Sequence, residues 1–264
     1  MRGLALIPAA KRRLFNAWFA GHARGRVRST FGVTRVHGLA RTRALCDEAP
    51  VLLVANHTAW WDPLVALHVS QHLLGVDGYA MMDAKNLRRL PFFAFVGAFG
   101  VDLDRPADGA AAIKYTARLL DRSGRAVWIF PQGRERPITE RPLAFRPGSA
   151  EIARVARKAR AVPVGIRYEF GAEERPTLYI SLGPALPPER DVARALGAHE
   201  SAVEVELARI ERAIRGEGDE FEDVHRAPVS WIGEVTTSLL ARFAGGSKGH
   251  ELTPPRGPDR SSRS

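Results

Sequence analysis

Along most of the chain, short apolar runs rich in β-branched residues alternate with longer segments whose apolar positions recur at helical spacing. Strands are predicted over Phe31–His37, Val51–Ala55, Gly78–Met82, Phe99–Leu103, Ala126–Phe130, Val162–Phe170 and Thr177–Gly183. Between them, helices are predicted over Pro63–Leu74, Ala84–Arg89, Ala107–Arg122, Gly148–Lys158 and His199–Arg215. The stretch Pro131–Pro147 follows neither period and reads as a long loop, a feature that in packed domains is often functional. Strands alternating with helices imply an α/β fold: a single domain with a mixed, mostly buried sheet flanked by helices.

The two ends read differently. Between Leu4 and Phe19, apolar and basic residues interleave; Leu14, Phe15 and Trp18 share one helical face, while Arg12, Arg13 and Asn16 point elsewhere. A last apolar segment, Val229–Phe243, reads as a docking helix, and beyond Gly245 the Gly, Ser, Pro and Arg content predicts disorder. The expected organisation is therefore an amphipathic basic arm over 1–30, the α/β domain over 31–220, a C-terminal helix over 221–244 and a tail over 245–264.

Composition narrows the class. Hydrophobic residues make up 45% and charged residues 26% of the 264, which excludes disorder for most of the length. The longest nearly unbroken apolar run, Pro91–Val101, falls well short of the ~20 residues of a spanning helix. A single cysteine, Cys46, excludes an internal disulfide or a Cys-based zinc cluster and fits a reducing compartment.

Charge matters through its location. The net charge is +10, and ten of the 39 basic residues precede the first acid, Asp47, leaving 29 basic and 29 acidic residues behind. A helix with aromatic and aliphatic residues on one side and cations on the other suits an anionic membrane surface. The alternative is a helix packed on the domain with a solvated basic rim. Lys11-Arg12-Arg13 interrupts any secretory apolar stretch, whereas an Arg-rich, acid-free start also resembles an organellar transit segment. No recognisable nucleic-acid-binding motif accompanies the basic stripe.

Candidate chemistry begins where the second strand ends. His57 follows Val51–Ala55 and Asn56, and Asp62 opens the next helix. A loop of this length can bring Asp62 back to accept a hydrogen bond from one imidazole nitrogen, leaving the other as a base. The competing reading makes Asp62 a plain N-cap with Pro63 at the first helical position. No Gly-x-Ser-x-Gly elbow supplies a nucleophile, so a His–Asp pair must deprotonate a group on the substrate, naturally a hydroxyl. His68 and His72 lie one helical turn apart but no third metal ligand is suggested, and they read as a helix-surface pair. Downstream, Gly100–Arg105 and Phe130-Pro-Gln-Gly-Arg-Glu-Arg136 place arginines just past strand ends, where α/β sheets bind ligands, and Val162-Pro163-Val164 opens a further strand. Arginines in such places either grip a phosphate with forked hydrogen bonds or form solvated salt bridges.

These four ordered blocks resemble the motifs of the glycerolipid (lysophospholipid) acyltransferase superfamily, relatives of the 1-acylglycerol-3-phosphate acyltransferases, over roughly 31–183. The resemblance implies that His57 is the general base and Asp62 its partner. It implies that Asn56, Arg105, Gln132, Gly133 and Arg134 or Arg136 bind substrate, and that Lys85 and the helix start at Phe145–Ile152 match similar residues in relatives. The third block departs from the family's F-P-E-G-T-R-S: Gln132 replaces the glutamate, and the arginine register is shifted. The implied enzyme moves a fatty acyl group from acyl-CoA or acyl carrier protein to a lipid hydroxyl. It acts without metal or cofactor, as a peripheral or monotopic protein on the cytoplasmic face of a membrane. Lysophosphatidate is the favoured acceptor; a phosphate-free, for example glycosylated, lipid and a non-catalytic lipid-binding module are the alternatives. Pro91–Val101 is expected either to line an acyl tunnel or to be plain core.

Overall fold

The computed structural model describes residues 6–102, 105–171, 173–218 and 220–228. They build an α/β unit around a mixed sheet of nine strands: β1 (Leu6–Ile7), β2 (Val33–His37), β3 (Val51–Ala55), β4 (Asp77–Asp83), β5 (Ala98–Val101), β6 (Arg125–Ile129), β7 (Arg160–Glu169), β8 (Thr177–Leu182) and β9 (Glu222–Arg226). The helices are α1 (Arg13–Thr30), α2 (Leu39–Glu48), α3 (Asp62–His68), α4 (Ala84–Arg89), α5 (Pro106–Leu119), α6 (Gly148–Val155) and α7 (Val192–Ile214). A π-helical turn, Val69–Leu74, continues α3, and a 3-10 helix, Pro91–Val96, precedes β5.

Strand order is β1-β5-β4-β6-β3-β7-β8-β2-β9. β5, β4, β6, β3 and β7 run parallel, β8 is antiparallel to β7, and β1 and β9 pair antiparallel at the two edges. Every residue of β3 is buried, as a run apolar on both faces requires. Successive side chains of a strand point to opposite faces. Accordingly Val51, Leu53 and Ala55 pack with Val65, Ala66 and Val69 of the α3 side, while Leu52 and Val54 pack with Ile152 of α6 and Val203, Leu207 and Ile210 of α7. Because the five parallel strands share a direction, their C-terminal ends lie along one edge. That edge gathers the loops carrying His57, Lys85, Arg105 and Gln132.

Several boundaries differ from expectation. Residues 6–30 are built into the unit: β1 pairs with β5, and α1 buries Ala20, Ala23 and Val27. The expected apolar face of α1 splits: Phe15 turns in against Phe95, beside Phe19, which packs on Phe92 and Phe93, while Leu14 and Trp18 face out. α2 was hidden by its charges, although Leu39, Thr42 and Cys46 give it a buried face. α7 begins at Val192, seven residues before His199, because Asp191 caps it by accepting a 2.8 Å hydrogen bond from the Arg194 amide. The start expected for a C-terminal helix is corrected: Glu222–Arg226 is a strand on β2, a polar edge with no apolar alternation to announce it. Val229–Phe243 and the tail lie outside the described residues.

Two buried histidines make stability pH-dependent. Burial pushes the imidazoles of His68 and His199 down from 6.5 to about 4; His72, Arg24, Arg28 and His225 add to the effect at His68. Below about pH 6.5 the unfolded chain binds protons at these two histidines that the folded chain refuses, so their contribution to stability is fully present above that pH and declines toward pH 4. Each histidine contributes at most ~1.4 kcal/mol per pH unit in that window. Melting temperatures should fall from pH 7 to pH 5, and equal values would refute this account.

Candidate active site

Asn56, the first residue past β3, is fully buried. Its side-chain N–H donates to the Ile166 carbonyl at 2.9 Å, and its carbonyl accepts from the Ile166 amide at 2.8 Å. These bonds extend the pairing of β3 with β7 beyond Ala55↔Val164 and aim the next residue. Asn56, expected among the substrate-binding residues, has both ends of its amide bonded to the Ile166 backbone.

The loop after His57 curls so that Asp62 returns to it. Asp62 Oδ2 accepts from His57 Nδ1 at 2.6 Å and from the amides of Thr58 and Ala59 at 2.8 and 3.2 Å. Its Oδ1 accepts from the Tyr168 hydroxyl at 2.6 Å. Asp62 is wholly buried. A carboxylate in that position is tolerable only with its lone pairs filled, and four donors fill them. Since Asp62 only accepts, the shared proton sits on His57 Nδ1, and the Nε2 lone pair is left outward. Nε2 makes no hydrogen bond among the described residues, and the side chain is 20% exposed. The N-cap reading of Asp62 does not hold: Trp61 occupies the cap position, and the carboxylate ties the loop before the helix rather than the helix amides.

The 131–147 loop holds His57 from the other side. Gln132 is buried, and its Oε1 accepts from the His57 amide at 2.6 Å, while the Arg136 amide donates to the His57 carbonyl at 2.9 Å. A backbone N–H asks only for an acceptor, and the neutral side chain of Gln132 supplies one. Gln132, expected among the substrate-binding residues, is committed through its Oε1 to the His57 backbone. Phe130 lies against the imidazole with ring centroids 4.9 Å apart.

The arginines separate. Arg136 forms an ion pair with Glu140, whereas Arg134 is exposed. Gly133 has φ +70°, and a Cβ there would stand 3.2 Å from Arg146 Nε and 3.3 Å from its Cζ. Arg146 therefore lies over the Gly133 turn, and among the described residues its exposed guanidinium has no partner. It was missed in the sequence, although it stands inside the Phe145–Ile152 block. Arg105, exposed at the start of α5, shares the edge but follows β5, three strand spacings or roughly 14 Å from β3. Among the described residues, no group of three His, Cys, Asp or Glu side chains is arranged to hold a metal ion.

The profile of the Acyltransferase family matches residues 33–167, about half of the chain and the part that carries His57, Asp62 and Gln132. The chain belongs to that family and is an O-acyltransferase. A 1-acyl-sn-glycerol-3-phosphate acyltransferase of Streptococcus pneumoniae (strain ATCC BAA-255 / R6) is 25% identical to it over 201 residues, spanning 72% of this chain and 70% of the relative.

Proposed function

We propose that the protein transfers a fatty acyl group from an acyl thioester, acyl-CoA or acyl carrier protein, to the hydroxyl of a lysophosphatidate-like lipid. The carrying observation is the His57–Asp62 pair, with Nδ1 committed to the carboxylate and Nε2 left as a base. In this reading Nε2 takes the hydroxyl proton as the oxygen attacks the thioester carbonyl, and Asp62 stabilises the imidazolium. The tetrahedral oxyanion then collapses, and the departing thiolate takes the proton back from His57. No enzyme nucleophile and no bound cofactor enters the scheme.

For the acceptor's phosphate, Arg146 and Arg134 supply cations at the Gly133 turn, with Arg105 further along the same edge. The name of the pneumococcal relative supports a phosphate-bearing acceptor. Steady-state acylation of lysophosphatidate and of a phosphate-free glycosylated lipid, with matched donors, tests the assignment. Arg146→Ala should weaken lysophosphatidate binding by at least about tenfold, the effect of losing a charge-assisted hydrogen bond, and leave the neutral lipid unaffected. Faster acylation of the phosphate-free lipid by the wild-type protein would overturn the choice of acceptor. A small cavity of about 40 Å³ between Pro63, Leu67, Met82, Phe93, Val96 and Trp128 is the proposed start of the acyl site.

Membrane contact is proposed through α1 and its neighbours. Leu14 is 87% exposed, Trp18 64% and Trp60 62%, around a packed cluster of Phe15, Phe19, Trp61 and Phe93, with Arg12, Arg13, Arg88 and Arg89 exposed nearby in the chain. Among the described residues no helix is long and apolar enough to cross a membrane. The proposed attachment is peripheral, through this exposed apolar and basic surface, on the cytoplasmic face. Removing residues 1–30 would strip core from the unit, so the test uses surface changes. Leu14→Ser with Trp18→Ser should lower affinity for anionic vesicles by at least about tenfold, since taking one such side chain fully out of water contributes roughly 1.5–3 kcal/mol. The melting temperature should hold; equal vesicle binding would refute the surface.

A further inference from the structure

We propose that Tyr168 is a positioning residue for the His57–Asp62 pair, its hydroxyl fixing the carboxylate plane and tempering the negative charge that the imidazole meets. The inference rests on the general-base reading above.

Nothing covalent holds the Asp62 carboxylate at one angle, because the terminal torsion of aspartate is broad. Its orientation is set by donors alone. Three of them converge on Oδ2, and the only donor to Oδ1 among the described residues is Tyr168, at 2.6 Å. Tyr168 is in turn held from turning away. It stacks on Phe31 with centroids 5.4 Å apart, and Phe31, 1% exposed, meets Trp61 edge-on at 5.4 Å. β7 carries the tyrosine past the end of β3, which lets its hydroxyl reach over the dyad loop. In an aromatic stack a phenylalanine would pack as well; a phenol there needs a partner, and Asp62 is that partner. Burial and the Asp62 charge push the Tyr168 hydroxyl well above the usual phenol range, so it remains a donor at any working pH.

His57 and Tyr168 bond Asp62 directly, and Arg26 of α1 stands one ring away, its guanidinium carbon 5.5 Å from the Trp61 centroid. A hydrogen bond from Tyr168 draws carboxylate charge away from the imidazolium. Without it, Asp62 holds the imidazolium more strongly, and a higher pH is needed to free the base.

The experiment uses the full chain with Tyr168→Phe, which keeps the ring stack. Turnover, KM for both substrates, kcat/KM across pH, and the His57 imidazole resonances across pH are measured. Expected is a kcat at least about tenfold lower, what loss of one charge-assisted hydrogen bond brings, with KM little changed. The acid limb of kcat/KM and the NMR titration of His57 should both move to higher pH. A kcat within about threefold of wild type and an unmoved acid limb would overturn the proposal, as a structural role alone shifts neither. If the phenylalanine variant melts too low to assay, 3-fluorotyrosine incorporated at position 168, a stronger donor of nearly the same shape, decides. It must move both titrations to lower pH, and no movement overturns the proposal. The NMR readout does not depend on turnover. A failure of the general-base reading, seen as an active His57→Ala, is therefore distinguished from a failure of Tyr168.

Discussion

His57→Ala is expected to lower acyl transfer by about 10²–10⁴-fold while leaving the protein folded, the range associated with a positioned acid–base group. The geometry explains why the two effects separate. The imidazole is partly exposed, and its hydrogen bond is to Asp62. After truncation, Asp62 still accepts from Thr58, Ala59 and Tyr168, so no buried carboxylate oxygen is left empty. The main-chain bonds of residue 57 to Gln132 and Arg136 do not involve the side chain and persist. Melting temperature and vesicle binding should therefore match wild type. Turnover of His57→Ala within a few-fold of wild type would remove the general base from the mechanism.

Asp62→Asn should reduce both rate and stability, and the second loss is the diagnostic one. As an N-cap, asparagine would replace aspartate with almost no cost. In the structure, however, all four neighbours of the carboxylate are donors. The amide NH₂ of asparagine either faces Tyr168 and leaves its hydroxyl proton without an acceptor, or faces the Thr58 and Ala59 N–H groups as donor against donor, so a buried group goes unsatisfied at a cost of about 1–3 kcal/mol. Turning the oxygen toward Thr58 and Ala59 presents the NH₂ to Tyr168; turning it the other way presents NH₂ to His57 and favours the wrong tautomer. Rate should fall by a factor comparable to that of His57→Ala, since the imidazolium loses its counter-charge. Thermal melts and turnover on the same preparation check both. A variant with wild-type stability and wild-type rate would refute both the satisfied-carboxylate account and the counter-charge role of Asp62.

Much of the fold is written in local pattern. β3, β6, β7 and β8 are apolar runs whose period admits one reading, and the alternation with helices implies a mixed α/β sheet. The elements that escaped are those whose local pattern is weak. β1 has two residues, β9 is polar at the sheet edge, and α2 hides three buried positions among charges. Their existence depends on a partner strand or on the core beneath them.

At the site, residue spacing allowed a His57–Asp62 hydrogen bond but equally allowed Asp62 to be a helix cap, and the folded loop decided for the hydrogen bond. Residue type likewise placed Gln132 and the arginines beyond strand ends on a common edge. Which side of His57 each occupies was decided only in three dimensions. Asn56 and Gln132 have the chemistry of ligand-binding amides, yet burial forces their polar atoms onto backbone partners at Ile166 and His57. Arg136 answers to Glu140, while Arg146, ten residues later, reaches the Gly133 turn because the loop doubles back through the Arg146 amide to the Pro131 carbonyl. Tyr168 stands 106 residues from Asp62 in the chain, and no local period relates them. Hydrophobic periodicity and short loops are properties of neighbouring residues and can be read along the sequence. The filling of a buried carboxylate's lone pairs depends on which strands the sheet sets side by side, and only the tertiary structure determines that.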